Sequence, residues 1–405
     1  MASVTSCAYM FDRCSAYNQP ITIPNTVINC KGMFSQCGKY NLQTTIPDSV
    51  TDCSSMFCAC YNYNQPTVIP ASVINCSNMF ERCYNFNIAP TISNGVINCA
   101  SMFQGCTRFN KEVVIPDSVT NCANMFLGAF NYNQPTTIPE NVINCYGMFE
   151  STTKFNQPIT IPDSVTNCGA MFWNTTEFNS SVKISNNAIN CFAMFMVTRA
   201  FNQPVELPNK IVNCQSMFQG AWKFNYPVTI PNSVRNCSNM FASMWNFENG
   251  SVYGYNQPVF IPEGVVNCAG MFNNSFMYNQ PIYIPNSVNN VTNMCGWMDG
   301  EYDGEYYGLN VPKTVYLNKV SGTINTMNLF HIHHWADDPV KFFKSPKILY
   351  VRNIATINMN LLVGTMVFTY LKNNWSDEAT IEYETITNGY YNSKFNLYIY
   401  TNYPS

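Results

Sequence analysis

Cysteine returns every 23 residues along most of this chain. Cys7, Cys30, Cys53, Cys76, Cys99, Cys122, Cys145, Cys168, Cys191, Cys214 and Cys237 keep that step; Cys268 follows after 31 residues, and Val291 takes the same place 23 further on. A fixed period of about 20–50 residues marks a solenoid, whose units cannot bury their apolar faces alone and stack on their neighbours. The period runs over residues 1–298, so this stretch is expected to be one repeat domain rather than several globular ones.

Counting each unit from its cysteine as zero, the apolar places are 0, +3, +4, +10, +14, +16 and +20, for example Cys145, Met148, Phe149, Phe155, Ile159, Ile161 and Val165. Positions +14 and +16 flank an outward +15, the period of two of a strand. Proline at +13 and +17 brackets that strand and keeps it short, because proline donates nothing to a ladder. The Cys-x-x-Met-Phe part has apolar residues three and four apart, which suits a single helical or 3-10 turn. The expected fold is therefore a leucine-rich-repeat-like solenoid, a short β-strand and a helical turn in each coil. About thirteen coils at a strand spacing of ~4.8 Å give a rod of roughly 60 Å.

Motifs such as "VTNC", "MF", "FNQP" and "IPDSV" resemble the BspA-type leucine-rich repeats and the related bacterial surface repeats, over about residues 4–298. Here cysteine stands where the surface repeats usually carry methionine. The resemblance implies a right-handed leucine-rich solenoid used for adhesion or recognition, without catalysis, and it names no ligand.

Of the nineteen cysteines, twelve form the ladder at position zero. Cys14, Cys37, Cys60, Cys83 and Cys106 form a second ladder at +7, and Cys58 and Cys295 stand apart. A ladder sets its Cβ vectors parallel, which disfavours bridging, and spreads its sulfurs along a line, which disfavours a metal cluster. Reduced core cysteines are the expectation, with some bridges or bound metal as the alternative. The asparagine before each cysteine is expected to satisfy backbone groups at the coil corner.

Only 11% of the residues are charged and the net charge is −3, so no basic field draws in nucleic acid or an anionic membrane surface. No apolar run is long enough to span a bilayer, and "MASVTSCAYMF" lacks the basic and apolar regions of an export signal. No nucleophile elbow, phosphate loop or paired-carboxylate signature is present, so neither catalysis nor a cofactor is expected. The three histidines lie together in "FHIHHWADD". On a strand His331 and His333 share a face and, in a trimer, three such pairs can meet at one metal; the alternative is a polar surface turn.

Candidate binding residues come from where the repeat varies. The outward +15 position is mostly Thr or Val up to Thr160, then Lys183, Glu206, Thr229, Phe260 and Tyr283. The eight-residue insertion after Cys237, "MWNFENGSVYGYNQP", contributes Trp245, Phe247 and Tyr253. Such insertions project on one face of a solenoid, often the binding face; the alternative is a loop whose aromatics fold back. The acidic stretch "GWMDGEYDGEYYG" adds Tyr302 and Tyr306, as a recognition loop, a calcium loop or plain surface.

Residues 299–330 read as this loop and one last imperfect repeat, and residues 331–405 as a β-rich cap with strands in "KILYVRNI", "GTMVFTYL", "ATIEYETI" and "KFNLYIYT". The first coil opens almost at Met1, so Met10 and Phe11 are expected to face outward and dock on another copy or a particle component. Three functions fit: a host- or surface-recognition protein of a virus or phage particle, a cell-surface adhesin of BspA type binding protein or glycan, and an intracellular interaction scaffold.

Overall fold

The computed structural model describes residues 4–248, 251–275, 277–295, 300–302, 305–307, 313–327, 329–335, 347–359, 362–368, 384–392 and 397–401. The chain forms two compact units, Met1–Gln203 and Pro204–Ser405.

In the first unit the periodic apolar positions are the core. Cys145, Met148, Phe149, Phe155, Ile159, Ile161 and Val165 are all buried, none more than 2% exposed. Phenylalanine at +4 stacks on the aromatic at +10 of its own coil, as in Phe149–Phe155 at 4.0 Å. Each ring also stacks on its counterpart in the next coil, Phe126–Phe149 at 5.7 Å and Tyr132–Phe155 at 6.0 Å. Each such pair adds about 0.5–1.5 kcal/mol beyond burial, so two aromatic columns help hold successive coils together.

The helical turn expected at Cys-x-x-Met-Phe is absent, and a folded run of tight turns replaces it. In the coil opening at Cys30, Met33, Ser35 and Cys37 donate their N–H groups three residues back, to Cys30, Gly32 and Phe34. The alternate residues Cys30, Gly32, Phe34 and Gln36 donate instead to Asp52, Ser54, Met56 and Cys58 of the next coil. A helix keeps all its bonds to itself; here half serve to join units. The fold needs a left-handed residue at +2 and +6, met by Gly32 and Gln36 at φ 57° and 60° and by Ser55 and Ala59 at 55° each. Spacing of three and four residues fits either geometry, so apolar pattern alone does not separate them.

Asparagines complete the backbone accounting. Asn29 Oδ1 accepts the Lys31 N–H at 2.9 Å, the one donor of that run left over, and the residues at this corner pair in parallel from Ser6↔Asn29 to Asn167↔Asn190. The expected role of the asparagine before the cysteine is thereby met. At +11 the Asn64, Asn87 and Asn110 N–H groups each donate to the preceding asparagine's Oδ1 at 2.9 Å. A side-chain amide thus stands in for a ladder carbonyl just before proline interrupts the strand. Short strands follow as expected: β1 (Val68–Ile69) pairs in parallel with β2 (Thr91–Ile92), and β3 (Ile159–Thr160) with β4 (Val182–Lys183).

The second unit repeats this pattern, with bridges from Asn213↔Asn236 to Asn290↔Asn325. Two antiparallel hairpins leave it, β5 (Trp245–Glu248) with β6 (Ser251–Gly254), and β8 (Gly300–Tyr302) with β9 (Glu305–Tyr307). The strand wall lengthens into a six-stranded sheet. β7 (Ile282–Ile284), β10 (Lys313–Leu317), β12 (Lys347–Val351) and β16 (Leu397–Tyr400) run parallel; β15 (Gly389–Asn392) and β14 (Glu384–Ile386) close the far edge antiparallel. On the opposite wall β11 (Phe330–Trp335) pairs in parallel with β13 (Val363–Phe368). The sequence period fades near residue 298, yet coils still open at Thr326 and Met359: Leu329 donates to Thr326, Leu362 to Met359, and Phe330 to Leu362 of the next coil. A single 3-10 turn, Ile354–Thr356, occurs among the described residues. No helix there is long and apolar enough to cross a membrane.

Candidate recognition surface

The outward positions of the second unit's sheet carry a chemistry the first unit lacks. Along β12 burial alternates, with Lys347, Leu349 and Val351 inward and Ile348 and Tyr350 outward. The pairing puts Tyr283, Tyr316, Tyr350 and Tyr400 side by side on four parallel strands. Their rings stack in sequence at 4.5, 4.8 and 5.2 Å between centroids, with interplanar angles of 7°, 5° and 24°. Tyr398 lies 6.3 Å from Tyr400, and Tyr391 lies 4.5 Å from Tyr398, so the aromatic surface turns onto β15. Burial first, then the neighbouring Tyr398, pushes the Tyr391 phenol above its ordinary range.

Rings stacked like cards hide their faces and present edges and hydroxyls. Each phenol both donates and accepts a hydrogen bond, so the row is an array of neutral hydrogen-bonding groups one strand apart. It is also preorganised: neighbours already restrict each ring, so a ligand meets little additional ordering cost. None of the other outward positions on these strands, Thr314, Ile348 and Tyr398, carries a charge.

The seven aromatic candidates fall into separate sets by their place in the coil. Phe260 and Tyr283 occupy the outward strand position and are 74% and 53% exposed. Trp245, Phe247 and Tyr253 belong to the first hairpin, which emerges just after the turn run at Met244. Trp245 is opposite Gly254 and Phe247 opposite Val252, whereas Tyr253 is opposite Asn246, the alternate register. The Tyr253 ring lies beneath Lys223 Nζ, 5.2 Å from its centroid, a cation–π contact within the unit. Tyr302 and Tyr306 sit on β8 and β9, with Tyr306 opposite Glu301 and Tyr302 opposite Glu305. The side chains of Trp245, Phe247, Tyr302 and Tyr306 lie outside the described set.

His331 and His333 are not in a polar turn. They lie in β11, in register with Gly364 and Met366 of β13. Their side chains too lie outside the described set. At the other end of the chain Met10 is 56% exposed, as expected. Phe11 differs: it is half-buried, stacked on Tyr17 at 4.2 Å and Phe34 at 5.6 Å as the first member of the aromatic column.

All nineteen cysteines stand as thiols, seventeen of them buried; Cys14 is exposed and Cys58 half-buried. Burial pushes the Cys30 thiol up to about 12 and Cys37 up to about 11. The second ladder has a bonding role that the sequence alone did not disclose. Cys37 and Cys60 Sγ donate at 3.0 Å to the Phe11 and Phe34 carbonyls, and Thr152 and Thr175 Oγ1 make the same bond to Phe126 and Phe149 at 2.7 and 2.6 Å.

Residues 1–92, 68–161, 97–207, 162–253 and 189–303 each match the family described as "Mycoplasma protein of unknown function, DUF285". The overlapping matches take in three quarters of the chain. The chain belongs to this family. Its membership bears out the BspA-type repeat assignment made from the motifs. A leucine-rich repeat protein from Bacteroides ovatus is similar in structure over 70% of this chain and 83% of its own, at 16% identity and a TM-score of 0.41. No curated protein matches.

Tyr316, Tyr350 and Tyr400 were not singled out from the sequence. A signal was there: "TVYL", "ILYV" and "LYIY" each alternate apolar and tyrosine residues. What sequence did not supply was the register that aligns them with Tyr283.

Proposed function

We propose that this chain is a non-catalytic recognition or adhesion solenoid, and that the tyrosine row from Tyr283 to Tyr400 is its binding surface. The observation that carries the reading is the in-register stack on one sheet face. The same outward position holds Val68 and Val114 in the first unit, exposed but chemically plain. Aromatic residues on rigid elements are the usual anchors of recognition. The test is a screen of the whole chain against cell surfaces. Tyr316→Ala should abolish binding, and Val114→Ala should leave it unchanged; retention by both variants would reject the face.

The carrier we propose is a virus or phage particle. Buried thiols at position zero, such as those of Cys53 and Cys145, are compatible with folding in a reducing compartment, where a particle protein is made. Stoichiometric copies of the chain in purified particles are the expected result, and their absence removes this carrier. A cellular adhesin of BspA type is the second reading, favoured by the family; surface labelling of intact cells tests it.

A further inference from the structure

Resting on that reading, we infer that the tyrosine row takes a neutral, extended glycan with equatorial linkages, of the cellulose or chitin type, lying across the strands. Three observations select this class.

The first is spacing. The rings repeat at 4.5, 4.8 and 5.2 Å because adjacent strands set the interval. An extended equatorially linked pyranose chain advances by nearly one strand spacing, ~4.8 Å, per sugar. Successive sugars therefore meet successive tyrosines without loss of phase over the row. An extended peptide advances only ~3.3 Å per residue, with side chains on one face two residues apart, and falls out of step within a few rungs.

The second is ring orientation. Interplanar angles of 7°, 5° and 24° leave the ring faces against one another. Cations and flat aromatic ligands bind through ring faces, so both are poorly served here. What the row offers is phenol hydroxyls, matched to ligands with a donor-acceptor hydroxyl at every repeat. The third is charge. Thr314, Ile348 and Tyr398 beside the row are neutral and the same register ends on the Glu384 carboxylate opposite Tyr391, so an anionic glycan meets a like charge on this face.

Direct titration of the intact chain with neutral oligosaccharides of increasing length tests this. Affinity should rise with each sugar and level off once the four tyrosines of the row are engaged. Tyr316→Phe keeps the ring and removes the hydroxyl, and should weaken binding about tenfold, in line with losing one or two hydrogen bonds. Tyr316→Phe binding as tightly as the native chain overturns the inference, as does affinity independent of length, or equal binding of a polyanionic glycan. Cell-surface binding that needs Tyr316 while no neutral glycan binds rejects the glycan and keeps the recognition surface. Surface binding indifferent to Tyr316→Ala rejects the surface itself.

Discussion

The two units share one coil and differ in what the coil displays. In the first, the outward strand position carries Val68, Thr91, Val114 and Thr160, on strands no longer than two residues where they are paired. In the second, the position passes through Phe260 to the tyrosine row, on strands of three to five residues. Inside, Cys, Met and Phe hold the same places in both. The coil interior is fixed by stacking and the exterior is not, so chemistry changes where no neighbouring coil depends on it.

That contrast can be broken in several ways, the largest through the core that both units share. Folded-state burial raises the thiols of Cys30, Cys37 and Cys58 from 9.0 to about 12, 11 and 12. Below pH 9 these groups are protonated in both folded and unfolded states. Above it the unfolded chain loses protons the folded chain retains, so stability falls as pH rises from 9 toward 12. Urea midpoints measured across that range should drop steeply, and a flat profile would show the thiols to be well solvated.

Next in size is a single ring of the aromatic column. Phe149 contacts Phe126, Tyr132, Phe155 and Phe172. Phe149→Ala should cost about 3–5 kcal/mol in denaturant unfolding. Phe260→Ala, on an outward position 74% exposed, should stay within about 0.5 kcal/mol. Similar losses for both would erase the distinction between interior and exterior.

The ladder at +7 offers a smaller test. Thr175 makes the bond that Cys60 makes, so Cys60→Thr should be nearly neutral. Cys60→Val removes one of the two donors to the Phe34 carbonyl, leaving the Cys37 N–H, and should cost about 1 kcal/mol. Equal effects would mean the position matters for volume alone.

The smallest effect expected is a gain. Tyr40, Tyr63 and Tyr132 each hydrogen-bond a threonine four residues on, Thr44, Thr67 and Thr136, at 2.6, 2.8 and 2.7 Å. Tyr255 in the second unit has valine there, so its buried hydroxyl lacks that side-chain partner. Val259→Thr should raise stability by about 1 kcal/mol if the first unit's rule transfers. A loss instead would show that the two interiors differ after all.

Much of this was legible in the sequence, because stacking repeats a residue's environment once per coil and makes burial visible as period. The seven core offsets and the corner asparagines are read in this way. The turn run was misread because three-and-four spacing describes a folded β-turn stack as well as a helix. Only the left-handed residues at +2 and +6 separate them, and Ser55, Asn78 and Ala59 do not advertise that conformation as glycine does. The tyrosine row was half seen: Tyr283 lay within the periodic part, whereas Tyr350 and Tyr400 lay beyond it, in strands whose register depends on pairing across long connections. The paired tyrosine and threonine went unread because neither varies from the expected polarity of its place.

The alternating bonds of the turn run also govern how such a gene can grow. On that wall a coil such as the one opening at Cys30 hands four N–H groups forward, from Cys30, Gly32, Phe34 and Gln36, and the next coil offers matching carbonyls. Coils that share this pattern can therefore follow one another, and a duplicated or deleted block of 23 residues within the first unit preserves the match of donors to carbonyls. Loss of one codon inside the run does the opposite, exchanging every forward donor for an inward one down to the next corner. Length is thus quantised by the coil, and new material enters only where the run has ended, at the place from which both hairpins emerge.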